Sequence, residues 1–308
     1  GLCVTAAYNA FAAVLRALGD GRSPLYFLII SAVINAGLDV LFIMKFHMGV
    51  EGCAYATVIA QGISALLCLV YIILKFDILK LQKADFEPDV SMMQRLLSIG
   101  VPMGLQFSIT AIGTIIVQSA INVFGADYIA GYAAAGKLQN MVNTIFIAFG
   151  ATIATFVGQN RGAGRLDRVR QGVKDTQIMI LIAAAASFLI IHFFAGKLTL
   201  IFVDSSKTVV IDAANQYFKT VSWCYPFLGS IFLYRNALQG MGYGLVPMLG
   251  GVFELVARTG IVLLVAGKAS FAGVCLSDPA AWISALIPLV PYYFYVTRSW
   301  RKELRQEV

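Results

Sequence analysis

Apolar runs long enough to cross a bilayer alternate with short clusters of glycine, proline and charge along the whole chain. The runs cover roughly residues 1–18, 25–44, 52–75, 98–123, 129–157, 175–202, 209–241, 247–267 and 280–297. A membrane helix needs about 20 mostly apolar residues, so each run predicts one span. The expected fold class is an all-α polytopic membrane protein with nine visible transmembrane helices. The longer runs leave room for tilt, a kink or an extension beyond the bilayer. The longest polar connection surrounds Pro88 and carries charges of both signs, which marks a linker. On this pattern residues 1–76 form three helices of a first lobe, 77–92 a cytoplasmic linker, and 93–308 a six-helix second lobe.

One turn occurs twice. "LRALGDGRSP" at 15–24 returns as "LQGMGYGLVP" at 238–247. At an offset of 223, Leu15 meets Leu238, Gly19 meets Gly242, Gly21 meets Gly244 and Pro24 meets Pro247; further on, Val33 meets Val256, Gly37 meets Gly260 and Leu41 meets Leu264. Glycine lets the chain leave a helix, and proline opens the next one without loss of a hydrogen bond. Gly19, Pro24, Gly242 and Pro247 are therefore expected in structural loops on the cytoplasmic side. Two unrelated tight turns are the alternative. The copies join spans one to two and seven to eight, so their orientation is the same. That predicts two six-helix lobes related by a parallel repeat, with its axis along the membrane normal. Carried back from residue 93, the offset places the start of the first lobe about 130 residues before Gly1. The expectation is twelve helices, nine of them visible, in a chain truncated at its N-terminus. The abrupt opening "GLCVTAAYNAFAAVL" agrees, since it lacks the basic leader of a signal peptide.

Composition sharpens the membrane reading. Hydrophobic residues make up 59% of the 308 and charged residues only 13%, where soluble domains carry about 25% charge. A net charge of +7 raises the question of nucleic acid, and its distribution answers it. Sixteen of the 23 basic residues fall in alternate loops and the C-terminal tail: Arg16 and Arg22; Lys75, Lys80, Lys83 and Arg95; Arg161, Arg165, Arg168, Arg170 and Lys174; Arg235; and Arg298, Arg301, Lys302 and Arg305. The opposite loops hold only Lys45, Lys197, Lys207 and Lys268. This is the positive-inside pattern of a multi-pass protein of the cell (inner) membrane with a cytoplasmic C-terminus. No nucleic-acid partner is expected. Five scattered cysteines form no metal or redox motif. The only histidines, His47 and His192, stand apart. No catalytic or metal-binding residue is expected, and the enzyme reading is poor.

The most distinctive polar segment is "GQNRGAGRLDRVRQG" at 158–172. It lacks the Lys-Ser/Thr ending and the preceding strand of a phosphate loop. The better reading is a cytoplasmic turn, with Gly158, Gln159, Asn160, Gly162, Gly164 and Arg168 as structural loop residues. It leads into an amphipathic helix that places Arg161, Arg165 and Arg168 on one face along anionic headgroups. With "LRALGDGRSP" and "INAGLDVLFI", this segment resembles the multidrug and toxic compound extrusion (MATE) family of exporters. "GVPMGLQFSITAIGTIIVQSAIN" and "IAGYAAAGKLQNMVNTIFIAFGATIATFVGQN" are similar to its bacterial, DinF-like branch. The resemblance runs over essentially the whole chain. It implies twelve helices in two lobes around a central cleft, and export of amphipathic, often cationic compounds by alternating access. The implied partners are small-molecule drugs or metabolites and the lipid bilayer, for a monomer. No cofactor is implied beyond a coupling ion, Na⁺ or H⁺. Flippases of lipid-linked or polar precursors share the fold and give the alternative function. Some members carry an acid where this chain has Gln106, and the helix that bears a coupling aspartate in others is not present here.

Ionisable and amide groups at membrane depth are the candidates for a substrate or ion path. They are Gln106, Gln118 and Asn122 on span four, Lys137, Asn140 and Asn143 on span five, and Glu254 with Arg258 on span eight. Asp39 is expected near a wet outer helix end. Glu254 and Arg258, at i and i+4, are expected to pair with each other. As a clamp the pair would hold span eight; as a site Glu254 would exchange Arg258 for a proton or a cationic substrate. Interhelical hydrogen bonding is the plainer role for the whole group.

Overall fold

In the computed structural model, residues 1–79, 87–265 and 270–306 are described, with side chains through Trp300. Among them the regular structure is helical and no strand occurs. The chain divides into two compact units, Gly1–Asp89 and Val90–Val308. Residues 80–86 of the expected linker, including Lys80 and Lys83, lie outside the described residues.

The first unit contains α1 (Leu2–Ala17), α2 (Arg22–Val40), a π-helical turn (Leu41–Lys45) and α3 (Gly49–Lys75). On α3 a stripe at every fourth position is buried: Gly52, Ala56, Ala60, Ser64, Cys68 and Ile72. Small residues at this spacing let helix backbones approach where lipid provides no hydrophobic drive. Serine hydroxyls add to the contact, with Ser31 donating to the Ala60 carbonyl at 2.7 Å and Ser64 to that of Phe27 at 3.1 Å. Large apolar side chains point outward, Leu25, Val33 and Leu74 among them, as lipid-facing surfaces require.

The second unit contains α4 (Val90–Ile121), α5 (Ala126–Gly162), α6 (Leu166–Thr199), α7 (Thr208–Val221), α8 (Tyr225–Gly240), α9 (Leu245–Val265), α10 (Phe271–Cys275) and α11 (Ser277–Gln306). Its core is a continuous apolar cluster that includes Phe146, Ile180, Phe218, Ile231 and Leu289. Among the described residues, seven helical segments are long and apolar enough to cross a membrane, from Arg22–Lys45 to Phe271–Trp300. The other two expected spans differ. Helix α1 is apolar but has only 16 residues. The run 209–241 is not one helix. A 3-10 turn at Ser222–Cys224 separates α7 from α8, because Pro226 has no N–H to give the Ser222 carbonyl.

The duplicated turn has one geometry in both places. Gly19 N–H bonds the Arg16 carbonyl at 3.0 Å, and Asp20 N–H that of Leu15 at 2.9 Å; Gly242 bonds Gln239 at 2.8 Å, and Tyr243 bonds Leu238 at 2.9 Å. These paired bonds close a helix around a left-handed residue, and the glycines have φ of +88° and +84°. Pro24 and Pro247 belong to the first turn of α2 and α9 rather than to the loops, where the missing N–H had no helical partner to lose.

The segment 158–172 also differs from expectation. Gly158, Gln159, Asn160 and Gly162 are the last turn of α5, and Arg168 lies in the first turn of α6. Only 163–165 are a turn, closed by the same bonds around Gly164 at φ +71°. This break puts Arg161 on α5 and Arg168 on α6, so the three arginines share no helical face. The Arg161 guanidinium instead lies 5.5 Å from the Tyr243 ring and 5.9 Å from that of Trp300. The C-terminal ends of α5, α8 and α11 therefore gather at one basic end of the unit.

Asp20 ties the first unit together from its loop. Its carboxylate caps α2, taking the Ser23 N–H at 3.0 Å and the Ser23 hydroxyl at 2.8 Å. Tyr71 of α3 donates to it at 2.9 Å and Lys75 stands 3.6 Å away. The bond from the Ser23 N–H, helped by these groups, holds the Asp20 carboxyl down at about 2.

Candidate functional site

Six helices of the second unit enclose a cavity of about 350 Å³ lined with polar groups. Helix α9 brings Glu254 and Arg258, one turn apart. They do not pair with each other. Glu254 forms an ion pair with Arg235 of α8, and Arg258 with Asp278 of α11 at 3.2 Å. All four side chains are at least about nine-tenths buried, with exposures of 11% and 5% in the first pair and 9% and 11% in the second.

The second pair is held from two sides. Tyr217 of α7 donates to Asp278 at 2.9 Å, and Arg258 donates to the Thr114 hydroxyl of α4 at 3.1 Å. Gly113 admits the arginine stem; a Cβ there would stand 3.2 Å from Arg258 Cδ. A second layer of amides adjoins the ions. Tyr225 donates to Gln139 at 3.0 Å, and Gln139 to Asn143 at 3.3 Å. Two cations and two anions give the cavity a formal charge of zero. A lone charge at membrane depth is unfavourable by about 2.5–3.5 kcal/mol on insertion scales, and the lateral pairing relieves that. Satisfaction is incomplete. Among the described residues, Arg235 Nε, Arg258 Nε and Thr110 Oγ1 are buried without a hydrogen-bond partner. Such groups are available to a guest or to a rearranged pair.

Of the residues expected on a path, Asn140, Asn143, Glu254 and Arg258 line this cavity. Gln106 is buried elsewhere on α4 and accepts from Gln239 at 3.3 Å. Gln118 near the end of α4 donates to Asn122, the first residue of the 3-10 turn that follows, at 3.1 Å. Lys137 is exposed, with its ammonium 5.1 Å from the Phe202 ring. Asp278, Arg235, Tyr217 and Tyr132 also line the cavity and were not among the expected residues. Asp278 lies two residues before the last expected span. Arg235 lies within α8 rather than in a loop, and its position inside the run 209–241 is the signal for it.

In the first unit Asp39 is the last residue but one of α2 and is half-buried. Its Oδ1 is buried without a hydrogen-bond partner among the described residues. It lies two residues before the π-helical turn, where the regular ladder is interrupted. One turn earlier Asn35 reaches Thr57 of α3 at 3.5 Å.

Known proteins share this architecture. The MatE family profile matches residues 99–265. The Bacillus subtilis protein named "Probable multidrug resistance protein YpnP" is 30% identical over a stretch covering 76% of this chain and 52% of its own length. "Probable multidrug resistance protein YoeA" of the same organism is 27% identical, covering 96% of this chain and 65% of its own. The chain thus spans about half to two thirds of these relatives. Among solved structures, "Crystal structure of MATE in the bent conformation" superposes with a TM-score of 0.87 at 17% identity, covering 96% of this chain and 66% of that one. At that identity the likeness speaks for the fold.

Proposed function

This chain belongs to the MatE family and is an integral membrane protein, and from that premise we propose that it works as an ion-coupled secondary exporter of amphipathic, often cationic compounds. Its two units are, on this reading, the last three helices of an N-terminal lobe and a six-helix C-terminal lobe in a twelve-helix protein. Alternating access comes from rocking one lobe against the other. The basic end of the second unit and the C-terminus face the cytoplasm. The names of the two Bacillus relatives support drugs as the substrate class.

The observation that carries the proposal is the pair of buried acid–base contacts around the 350 Å³ cavity. Buried ion pairs add little net stability compared with well-packed apolar groups. A transporter gains from them because each carboxylate can trade its arginine for a proton, Na⁺ or a cationic guest. Asp39 supplies a second ion ligand, since its buried oxygen has no hydrogen-bond partner among the described residues. Gln118, Asn122 and Lys137 are assigned to the substrate path outside the cavity. A flippase of anionic precursors would be served by an excess of basic groups; here acids and bases balance.

The test is uptake of a cationic dye into proteoliposomes holding the intact protein, under an imposed Na⁺ or H⁺ gradient. Transport that follows one gradient and is lost in Asp39→Asn is expected. Dye movement indifferent to both gradients would refute ion coupling.

A further inference from the structure

Apart from the ion-pair cavity, a groove of about 570 Å³ lies on the second unit between α6, α8 and α11. Helix α6 presents Arg170, Lys174 and Ile178 to it, on successive turns of one face. At 1.5 Å per residue these three span about 12 Å along the helix. The sequence thus passes from two cations near the basic end to an exposed aliphatic side chain deeper in. Opposite them stand the Tyr234 and Tyr293 rings, with centroids 5.2 Å apart, and Phe294 flanks the lower part, 56% exposed.

Three features separate this groove from an ordinary solvated face. First, neither Arg170 nor Lys174 has an acid partner among the described residues, although acids are close. Asp167, at the rim, is paired with Arg165 at 3.1 Å, and Asp175 accepts from Gln171 at 2.8 Å. Second, Tyr234 and Tyr293 line the groove, and among the described residues neither hydroxyl donates to a protein group. Third, the apolar part is open to the bilayer, with Ile178 49% exposed. Two cations without an acid partner among the described residues, and two phenolic donors, above an apolar channel complement one amphipathic anion: a phosphodiester above acyl chains. Basic pockets between membrane helices near the interface hold such headgroups.

We infer that the groove between α6 and α11 is a binding site for an anionic phospholipid. Arg170 and Lys174 embrace the phosphate, Tyr293 and Tyr234 donate to its oxygens, and an acyl chain lies along Ile178 and Phe294. The site is separate from the ion-pair cavity, and the inference does not depend on what the protein transports. Bound there, the lipid bridges α6 to α11 across a space the protein does not fill.

Purified intact protein, titrated with phosphatidylglycerol or phosphatidylcholine and read by native mass spectrometry, tests the site. Phosphatidylglycerol should be retained in preference to phosphatidylcholine. The variant Arg170→Gln with Lys174→Gln should weaken phosphatidylglycerol retention roughly thirty-fold, from the loss of two basic contacts near the surface. Arg95→Gln with Arg168→Gln, two exposed arginines that do not line the groove, removes the same charge elsewhere on the second unit and should leave retention unchanged. Tyr293→Phe deletes one oxygen and should weaken it by a few-fold without loss of folded protein, which covers the case of a poorly folded double variant. Equal phosphatidylglycerol retention by wild type and Tyr293→Phe together with Arg170→Gln/Lys174→Gln would overturn the site. So would an equal loss from Arg95→Gln/Arg168→Gln, which would reduce it to general surface charge.

Discussion

Glu254 and Arg258 illustrate how far a residue pattern carries. Both were legible as intramembrane charges because they interrupt an apolar run. Their partners were not, because i, i+4 spacing describes only one helix. The acid that Arg258 meets enters from the first turn of α11, and the base that Glu254 meets enters from α8. Neither direction is written in the local sequence. Asp20 gives a more local case that the structure supplied: its carboxylate caps α2 through the Ser23 N–H three residues on. Its carboxyl titrates at about 2 in the folded protein, against about 3.9 for a free side chain. A depressed folded value means that its contribution is complete above pH about 4 and is lost as pH falls toward 2. Protection of the Ser23 amide against hydrogen exchange in micelles should follow that course, and Asp20→Asn, which keeps an acceptor for the cap, should flatten it. Unchanged protection between pH 5 and pH 2 in the wild type would contradict the assignment.

The helices were legible where their ends carry chemistry. The repeated Gly-x-Gly-x-x-Pro signal marked two real turns, and the structure gives both the same pair of closing bonds. The turn at 163–165 has that geometry too, but the glycines Gly158, Gly162 and Gly164 are spread over seven positions, so the last turn of α5 reads as loop. In 209–241 the failure ran the other way. Continuous apolarity masked the break at Ser222–Cys224, which only Pro226 announced. The closing geometry makes a prediction. At φ +84°, alanine in place of Gly242 should destabilise the protein by about 1–2 kcal/mol, the penalty of a left-handed L-residue. Alanine in place of Gly162, which is helical and has open space around a Cβ, should be neutral or slightly stabilising. Thermal unfolding in detergent compares the two, and equal behaviour would show that the turn tolerates either residue.

For the molecule as a whole, charge bias predicts orientation and the structure supplies a geometric companion. Arg161 lies between Tyr243 and Trp300, so the end of α5 and the end of α11 belong to one side. Single cysteines at Arg165 and Arg301, in a background without native cysteines, should therefore escape an impermeant thiol reagent on intact cells and react after permeabilisation. Labelling of either from outside would overturn the cytoplasmic assignment. Apolar length and charge made the membrane class legible, whereas the cavity came only from the convergence of six helices, to which most contribute one or two polar residues.

The central claim is that the buried charges of the second unit serve transport rather than only clamp helices. Removing one member of a buried pair leaves an uncompensated charge and destabilises by about 3–5 kcal/mol, so single neutralisations report folding. The variant Arg235→Gln with Glu254→Gln removes both charges and keeps most of the volume. Made in the intact protein, it should reach the membrane at wild-type levels and unfold no more easily than wild type, yet lose efflux of a cationic dye from cells. Full efflux at normal expression would contradict the account and leave the pair as a clamp.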